Sequence, residues 1–282
     1  MLRIAAFATL FLAGCTSCSG AVAVPDASAS PDAAPATTAR ILDVFFGLDH
    51  ALPAKAMLLC PEAVGLDGIP VTFSARVTPI NPAPSAFRIT TKSGALHTPF
   101  CTTLRPAALP SKRHTVLMMG ELGSDPGDPP VRLDIVGSVP LADGSDAQGL
   151  SSTQVTSLSA GPSLLLALRY LPGDLAGTAC PAPTTKQIVQ VTWSGGVTKR
   201  GGGDPGDAER QRIHVSLASE DGGVSEVVPF ALADLGDNDN YLHLCLDVDA
   251  PPLSVRAEAG ILVDPRGDLN DDTSVVVQPG AP

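Results

Sequence analysis

Two short stretches of this chain carry the signal that decides its fold. In Val71-Thr72-Phe73-Ser74-Ala75-Arg76, apolar residues alternate with polar ones, and Val191-Thr192-Trp193-Ser194 repeats the pattern 120 positions later. Successive side chains of a β-strand point to opposite faces, so this period of two predicts strands with one face against a core.

The same alternation extends outward through both halves of the chain. It occurs in Phe87–Lys92, Val131–Ile135 and Ile213–Leu217, and Ile41–Leu48 and Leu164–Tyr170 are expected to be the opening strands of the two halves. Between them lie turns rich in glycine and proline, of which the chain has 27 each. Only Ala54–Leu59 is expected to form a short helix. The sequence therefore predicts an all-β protein.

The two halves also echo each other in sequence. Cys60-Pro61 is matched by Cys180-Pro181, again 120 positions later, and Pro99-Phe100 is matched by Pro229-Phe230. The matched pairs keep their order along the chain, which favours an internal duplication. The alternative is chance convergence of two β patterns.

The stretch Ile69–Val77, followed by Phe87-Arg88-Ile89-Thr90 and Gly94, resembles the bacterial Ig-like repeats of surface proteins. This resemblance implies an immunoglobulin-like β-sandwich that acts as a spacer, adhesive or binding module. We expect two such sandwiches in tandem, at residues 40–145 and 162–279, joined by a linker at 146–161.

The N-terminus is read as a targeting signal. Arg3 precedes the apolar run Ile4–Leu12, and Leu12-Ala13-Gly14-Cys15 resembles the lipobox of bacterial lipoproteins. The resemblance implies a signal peptide at 1–14, cleavage before Cys15 and acylation of Cys15, with Thr16 favouring the outer membrane where the host has one. The alternative is an ordinary secretory signal with a chance cysteine.

Residues 15–39 are predicted to be a disordered tether. They are rich in alanine, serine, threonine and proline, and such a composition cannot bury enough apolar surface to offset the entropy of ordering. Cys18 lies in this tether without an obvious partner, so it is either free or paired between chains.

The charge balance limits the classes of partner. The formal net charge is −11 and no basic stripe offsets it, which argues against nucleic-acid binding. We expect contact with the membrane through the lipid on Cys15, and a protein or a glycan at the cell surface as the partner.

Four cysteines remain after the tether. Because an exported compartment is oxidising, Cys60–Cys101 and Cys180–Cys245 are predicted to be disulfides, and the two other pairings would cross between the halves. His214 and His243 with Cys245 are an alternative zinc or copper site, although they lack the usual ligand spacing.

An acidic loop supplies a second metal hypothesis. Asp234, Asp237 and Asp239 place carboxylates close together in a turn, and Asp268 is expected to add another from the acidic segment 264–272. Calcium is bound by six to eight such oxygens, so a calcium site is one interpretation. The other is a solvated turn, since aspartate and asparagine dominate ordinary turns.

The common motifs of hydrolases do not occur in the sequence. It contains no G-x-S-x-G, H-E-x-x-H or S-x-x-K. The sequence thus favours a non-catalytic, lipid-anchored protein of the bacterial cell envelope with a binding or structural role. The alternatives are a calcium-dependent adhesion or carbohydrate-binding lipoprotein and an envelope hydrolase of unknown type.

Overall fold

The alternating stretches form β-strands in the computed structural model, which describes residues 39–107, 109–237 and 239–280. The all-β prediction is confirmed. The lipobox with Cys15 and the predicted tether up to residue 38 lie outside the described residues. No helix in the described part of the chain is long and apolar enough to cross a membrane.

In the described chain, the first half contains eight strands in two four-stranded sheets. The strands are β1 (Ile41–Val44), β2 (Asp67–Phe73), β3 (Phe87–Thr91), β4 (Leu96–His97), β5 (Cys101–Thr103), β6 (Thr115–Gly120), β7 (Pro130–Ile135) and β8 (Ser151–Ser152). One sheet has the order β1-β2-β6-β5 and the other β4-β3-β7-β8. All the pairings are antiparallel.

Among its described residues, the second half contains ten strands. They are β9 (Leu164–Tyr170), β10 (Gln187–Trp193), β11 (Thr198–Lys199), β12 (Ile213–Ala218), β13 (Val224–Val227), β14 (Ala231–Ala233), β15 (Tyr241–Leu246), β16 (Pro252–Ala257), β17 (Leu262–Val263) and β18 (Thr273–Pro279). Eight of them form one sheet in the order β13-β12-β16-β18-β9-β10-β15-β14, in which β18 and β9 are parallel. The strands β11 and β17 form a separate pair.

Each half has its own hydrophobic core. In the first half, Val71 and Phe73 of one sheet share a cluster with Phe87 and Leu133 of the other, so the two sheets pack face to face. In the second half, Val191 of β10 shares a cluster with strands β12 and β16 at the other end of the sheet order. The eight-stranded sheet must therefore fold over on itself around this core.

The strand orders of the two halves correspond one to one. The order β9-β10-β15-β14 corresponds to β1-β2-β6-β5, and the order β13-β12-β16-β18 corresponds to β4-β3-β7-β8. The main difference is that β18 closes the second half by pairing with β9. The quoted stretches at Val71 and Val191 lie on the equivalent strands β2 and β10.

The two halves do not sit as separate bodies on a linker. The described residues from 39 onward belong to one compact unit. Within the segment expected to be a linker, β8 pairs with β7, and Ala147 and Leu158 are buried in the first core. Residues 146–161 are therefore largely part of the first β structure, because their apolar side chains complete its core.

Short helical turns are more numerous than the sequence suggested. The expected helix is a 3₁₀ turn at Ala54–Leu58, and further single turns occur at Pro84–Ala86, Pro110–Lys112 and Asp207–Arg210. Two of them begin with proline, whose fixed φ suits the first position of a helical turn.

The structure contains both expected disulfides. Cys60 is joined to Cys101 of β5, and Cys180 is joined to Cys245 of β15, with Cα–Cα distances of 6.4 and 5.7 Å. Both bridges fasten a loop to a sheet. Cys60 and Cys180 precede the equivalent strands β2 and β10, whereas their partners lie on non-equivalent strands.

Candidate functional site

A cleft of about 740 Å³ lies where the two halves meet. One wall comes from the first half and includes Leu48, Leu52 and Leu117. The opposite wall comes from the second half and includes Gly195 and Val263. Clefts of this size with mostly apolar walls are typical of small-molecule sites.

The apolar wall of the first half is held by the Cys60–Cys101 bridge. Leu52, Ala56 and Cys60 form a small buried cluster with Met119 of β6, separate from the main core. The short turn Ala54–Leu58 is therefore tied to the sheet rather than left as a free loop. It places the exposed side chain of Leu58 at the cleft.

A glycine lets the two halves approach closely beside the cleft. The ring of Phe45 is fully buried, and a Cβ atom at Gly195 would lie only 2.9 Å from its carbons. Real Cβ contacts are longer, so a larger residue at position 195 would displace this ring. The Gly195-Gly196 pair that follows Trp193 thus serves the junction of the halves.

The polar end of the cleft is built around Lys112, at the end of the turn Pro110–Lys112. Its side chain is only 2% exposed. Its Nζ lies 2.6 Å from Asp234 Oδ1, 2.7 Å from Asp237 Oδ2 and 2.7 Å from Asp239 Oδ2. One ammonium of the first half is thereby surrounded by three carboxylates of the second, and Asp237 and Asp239 line the cleft.

The charges in this cluster shift one another's pKa values. Burial opposes the charge of Lys112, but the three carboxylates outweigh it and raise the pKa of the ammonium. Burial raises the pKa of Asp239 to about 7, with repulsion from Asp237 adding to the effect. Burial acts in the same direction on Asp237, but there the bond to Lys112 prevails and the pKa is lowered.

A second layer of polar side chains lies behind the cluster. Gln190 and His243 are paired on the neighbouring strands β10 and β15, and Gln190 Nε2 lies 3.0 Å from His243 Nε2. Gln190 also donates to Ser111 Oγ at 3.2 Å, which links it to the first half. Burial, with the charge of Lys112, lowers the pKa of His243 to about 4.

Tyr241 and Asn240 extend these contacts between the halves. The His114 amide donates to the Tyr241 hydroxyl at 3.1 Å, and Asn240 Nδ2 donates to Thr115 Oγ1 at 2.9 Å. Asn240 also donates to the carbonyl of Trp193 at 2.8 Å. The start of β15 is thus bonded directly to the start of β6.

Asp264 is a second acidic group in the wall of the cleft. Its residue is only 2% exposed, and its Oδ1 accepts three backbone N–H bonds at 2.9 Å, from residues 266, 267 and 268. Its Oδ2 is buried and has no hydrogen-bond partner among the described residues. Burial raises the pKa of this carboxyl.

The structure brings together three of the four acids predicted to bind calcium. Asp234, Asp237 and Asp239 converge, but on the ammonium of Lys112, so calcium could use this site only if Lys112 withdrew. Asp268 instead faces Arg266, with Nε 3.3 Å from its Oδ2. The calcium site remains a prediction.

The residues of the alternative zinc or copper site have other partners. Cys245 is in a disulfide and His243 bonds to Gln190. His214 Nε2 lies 2.9 Å from Glu258 Oε1 and its Nδ1 lies 3.1 Å from Glu226 Oε1.

One acid–histidine cluster escaped the sequence analysis. Asp49, His50 and Asp67 form a group whose possible ligand atoms all lie within 4.8 Å of one another, close enough to share a metal ion. The carboxylate of Asp67 already accepts backbone N–H bonds from His50, Leu122 and Gly123. The Asp67 carboxylate therefore joins the loop that contains His50 to the loop that contains Leu122 and Gly123.

The chain matches no family model, and a search of the curated proteins finds no significant match.

We expect Lys112→Met to destabilise the protein by about 3–5 kcal/mol, because it leaves buried carboxylates without their counter-ion. The measurement is the free energy of unfolding in urea at pH 7. The control is Lys92→Met at an exposed position, where we expect a change within about 0.5 kcal/mol.

Calcium binding provides a further test on Lys112→Met and the wild type. We expect millimolar calcium to raise the melting temperature of Lys112→Met relative to chelator, and to leave the wild type unchanged. Equal stability of Lys112→Met and wild type would contradict the role given to the ammonium, and a calcium response of the wild type would favour the calcium site.

We expect His114 to make the protein less stable in mild acid. Its buried Nε2 has no partner among the described residues, and burial lowers its pKa from 6.5 to about 4. Between these two pH values the His114 imidazole is protonated in the unfolded chain and neutral in the folded chain. The free energy of unfolding therefore falls as the pH drops from about 6.5 to about 4, by up to about 3 kcal/mol.

The comparison of wild type with His114→Gln isolates this effect. Glutamine does not titrate, so wild type should lose stability relative to the variant across this pH window. Urea unfolding of both proteins from pH 7 to pH 4.5 measures the difference. A difference that stays constant with pH would contradict the assignment.

Proposed function

We propose that this protein is a non-catalytic, lipid-anchored protein of the bacterial cell envelope that binds a small, largely apolar molecule. The binding site is the cleft between its two Ig-like halves. The observation that carries the proposal is the cleft itself, about 740 Å³ in volume, with apolar walls and a few convergent carboxylates.

The perturbed pKa values support a binding site at this position. Residues with displaced pKa values cluster at functional sites, and Asp237, Asp239 and Asp264 all line the cleft. For Asp237 and Asp239, the ion pairs with Lys112 are a structural reason for part of the pKa displacement. They do not explain Asp264, whose Oδ2 has no partner in the described chain.

The lining favours binding over catalysis. Among the described residues that line the cleft there is no serine, cysteine or histidine. Asp237 and Asp239 are already engaged as ion-pair partners of Lys112. The same architecture is compatible with an adhesive or structural role of the outer surfaces. The cleft would then be the site that binds the small molecule.

The lipid anchor supports an envelope location. The lipobox Leu12-Ala13-Gly14-Cys15 implies acylation of Cys15, and more than one acyl chain is needed for stable anchoring. The composition of the tether would let the folded part stand off the membrane, outer or inner, and expose the cleft to the envelope space.

We expect a neutral fluorescent probe, N-phenyl-1-naphthylamine, to bind in the cleft with an increase in emission. Leu117→Gln should weaken the binding at least several-fold, because Leu117 lines the cleft. Leu253→Gln is the matched control, since Leu253 is 39% exposed on β16 and is not part of the lining. Equal binding by both variants, or no binding by wild type, would contradict the proposal.

We expect Cys15→Ala to release the protein from the membrane fraction, because the variant has no thiol to acylate. Cys18→Ala, three residues further on, is the matched control and should remain membrane-bound. Fractionation in high salt with immunodetection measures both. Retention of Cys15→Ala under these conditions would overturn the lipid anchor.

A further inference from the structure

A histidine and two aspartates converge in the first half, at a place that is not part of the cleft lining. Asp49 and His50 lie in the chain between β1 and β2, and Asp67 is the first residue of β2. His50 Nδ1 lies 2.5 Å from Asp49 Oδ1 and 3.4 Å from Asp67 Oδ1. One imidazole nitrogen and two carboxylate oxygens therefore surround one point, and all three are atoms that bind metal ions in proteins.

The two carboxylates are held in place through their other oxygens. Asp49 Oδ2 accepts a hydrogen bond from the Asp125 amide at 2.9 Å, and Asp67 Oδ2 accepts one from the Leu122 amide at 2.7 Å. Asp67 Oδ1 accepts from the His50 amide at 2.8 Å, which leaves it a further lone pair. Carboxylates that bind metal ions are hydrogen-bonded in this way, so the fold sets the direction of both Oδ1 atoms.

Glu121 lies on the other side of the imidazole ring. Its Oε2 is 3.1 Å from His50 Nε2. Because an ionised carboxylate only accepts hydrogen bonds, Nε2 carries a proton, and the lone pair of the neutral ring is on Nδ1. Histidines that bind metal ions donate their other N–H to such a partner, which fixes the tautomer and the direction of the ring. The ring of His50 is therefore oriented as a ligand through Nδ1.

No strong cation of the described chain neutralises this group of acids. The carboxylates of Asp49, Asp67 and Glu121 have ion pairs with His50, and no lysine or arginine nitrogen among the described residues lies within 4.0 Å of them. The side chain of Asp67 is fully buried, where a charge without a partner is costly. The centre of this group thus lacks the ammonium that Lys112 supplies to the other acidic cluster.

The exposed imidazole is the side from which an ion can enter. The His50 side chain is 53% exposed, and its Nδ1 lies next to the buried Asp67 oxygen. Tetrahedral zinc with bonds of about 2.0–2.1 Å holds its ligand atoms about 3.3 Å apart. The spacing of Nδ1 and Asp67 Oδ1 is close to that value, and the spacing of Nδ1 and Asp49 Oδ1 has to widen by about 0.8 Å. A small outward swing of the exposed ring provides this room.

We propose that Asp49, His50 and Asp67 bind one zinc ion through Oδ1, Nδ1 and Oδ1, with water in the fourth position. The ion replaces the proton between Nδ1 and Asp49, and that proton passes to solvent. The nitrogen ligand favours zinc over calcium and magnesium, which prefer oxygen. The site is independent of the proposed function, because none of the three residues lines the cleft.

Isothermal titration with zinc chloride tests the proposal on the chain from residue 15 onward. Cys15→Ser and Cys18→Ser in this chain prevent zinc binding by the two N-terminal thiols. We expect one zinc ion to bind per chain, and we expect zinc to raise the melting temperature whereas equimolar calcium does not. Absence of zinc binding would overturn the proposal and leave the proposed function of the cleft standing.

His50→Asn removes the nitrogen ligand from that chain and suits its backbone. The φ of His50 is 49°, in the left-handed region, which asparagine adopts more readily than most residues. We expect zinc affinity to fall by at least about 100-fold, the upper end of the loss when a mere supporting partner is removed. Zinc affinity equal to that of the unsubstituted histidine would contradict the site.

His214→Asn is the matched control. His214 also lies between two carboxylates, those of Glu226 and Glu258, at 3.1 and 2.9 Å, but each faces a different ring nitrogen. No pair of ligand atoms therefore converges on one nitrogen there, and we expect zinc affinity to stay unchanged. An equal loss of zinc affinity in His214→Asn and His50→Asn would overturn the assignment to His50.

X-ray absorption at the zinc edge replaces the variant if His50→Asn does not fold. The sample is the same chain with both N-terminal cysteines changed to serine and an equimolar amount of zinc. We expect nitrogen and oxygen ligands at about 2.0–2.2 Å, with the scattering pattern of a single imidazole. A spectrum with no imidazole, with more than one imidazole or with sulfur would overturn the proposed ligand set.

Discussion

The junction of the two halves depends on one buried ion pair cluster, the ammonium of Lys112 among Asp234, Asp237 and Asp239. Removing an ammonium from water costs several kcal/mol, and only closely placed carboxylates offset that cost. The turn Pro110–Lys112 must therefore meet the loop before β15 in one arrangement. Because a misplaced partner would leave a buried charge alone, the cluster selects how the halves fit together.

This constraint explains why the outer face of the second half is buried. All residues of β10 and β15 are buried, although only one face of each strand points into the second core. The other face carries Gln190 and His243, and the Lys112 turn and the Cys180 loop cover it. The cleft lies beside this contact, and both Phe45 and Gly195, which pack against each other, line it.

Sequence periodicity succeeded where a strand has one face in a core and the other in water. The strand β12 alternates between buried and half-buried residues as predicted. For β10 the same pattern gave the correct strand and the wrong environment, since its polar face, like that of β15, meets protein instead of solvent. Cys245 illustrates this: it lies on the face of β15 opposite the core leucines, yet it is fully buried.

The candidate site was less accessible to sequence reasoning. The acids Asp234, Asp237 and Asp239 stand out as a local group, but their cation lies more than 120 residues away in a turn without any motif. A group of acids that binds a metal ion and a group of acids that pairs with an ammonium have the same sequence pattern. Only the approach of the halves distinguishes an ammonium from a divalent cation as the neutralising charge.

The sequence by itself determined the all-β class, the positions of the main strands and the pairing of four cysteines. These depend on local backbone geometry and on which cysteines lie in the same half. The tertiary structure alone decided that the halves form one unit, that Lys112 is buried between them and that Asp67 meets His50. Such features depend on contacts between residues distant in the chain, and no local period or spacing encodes them.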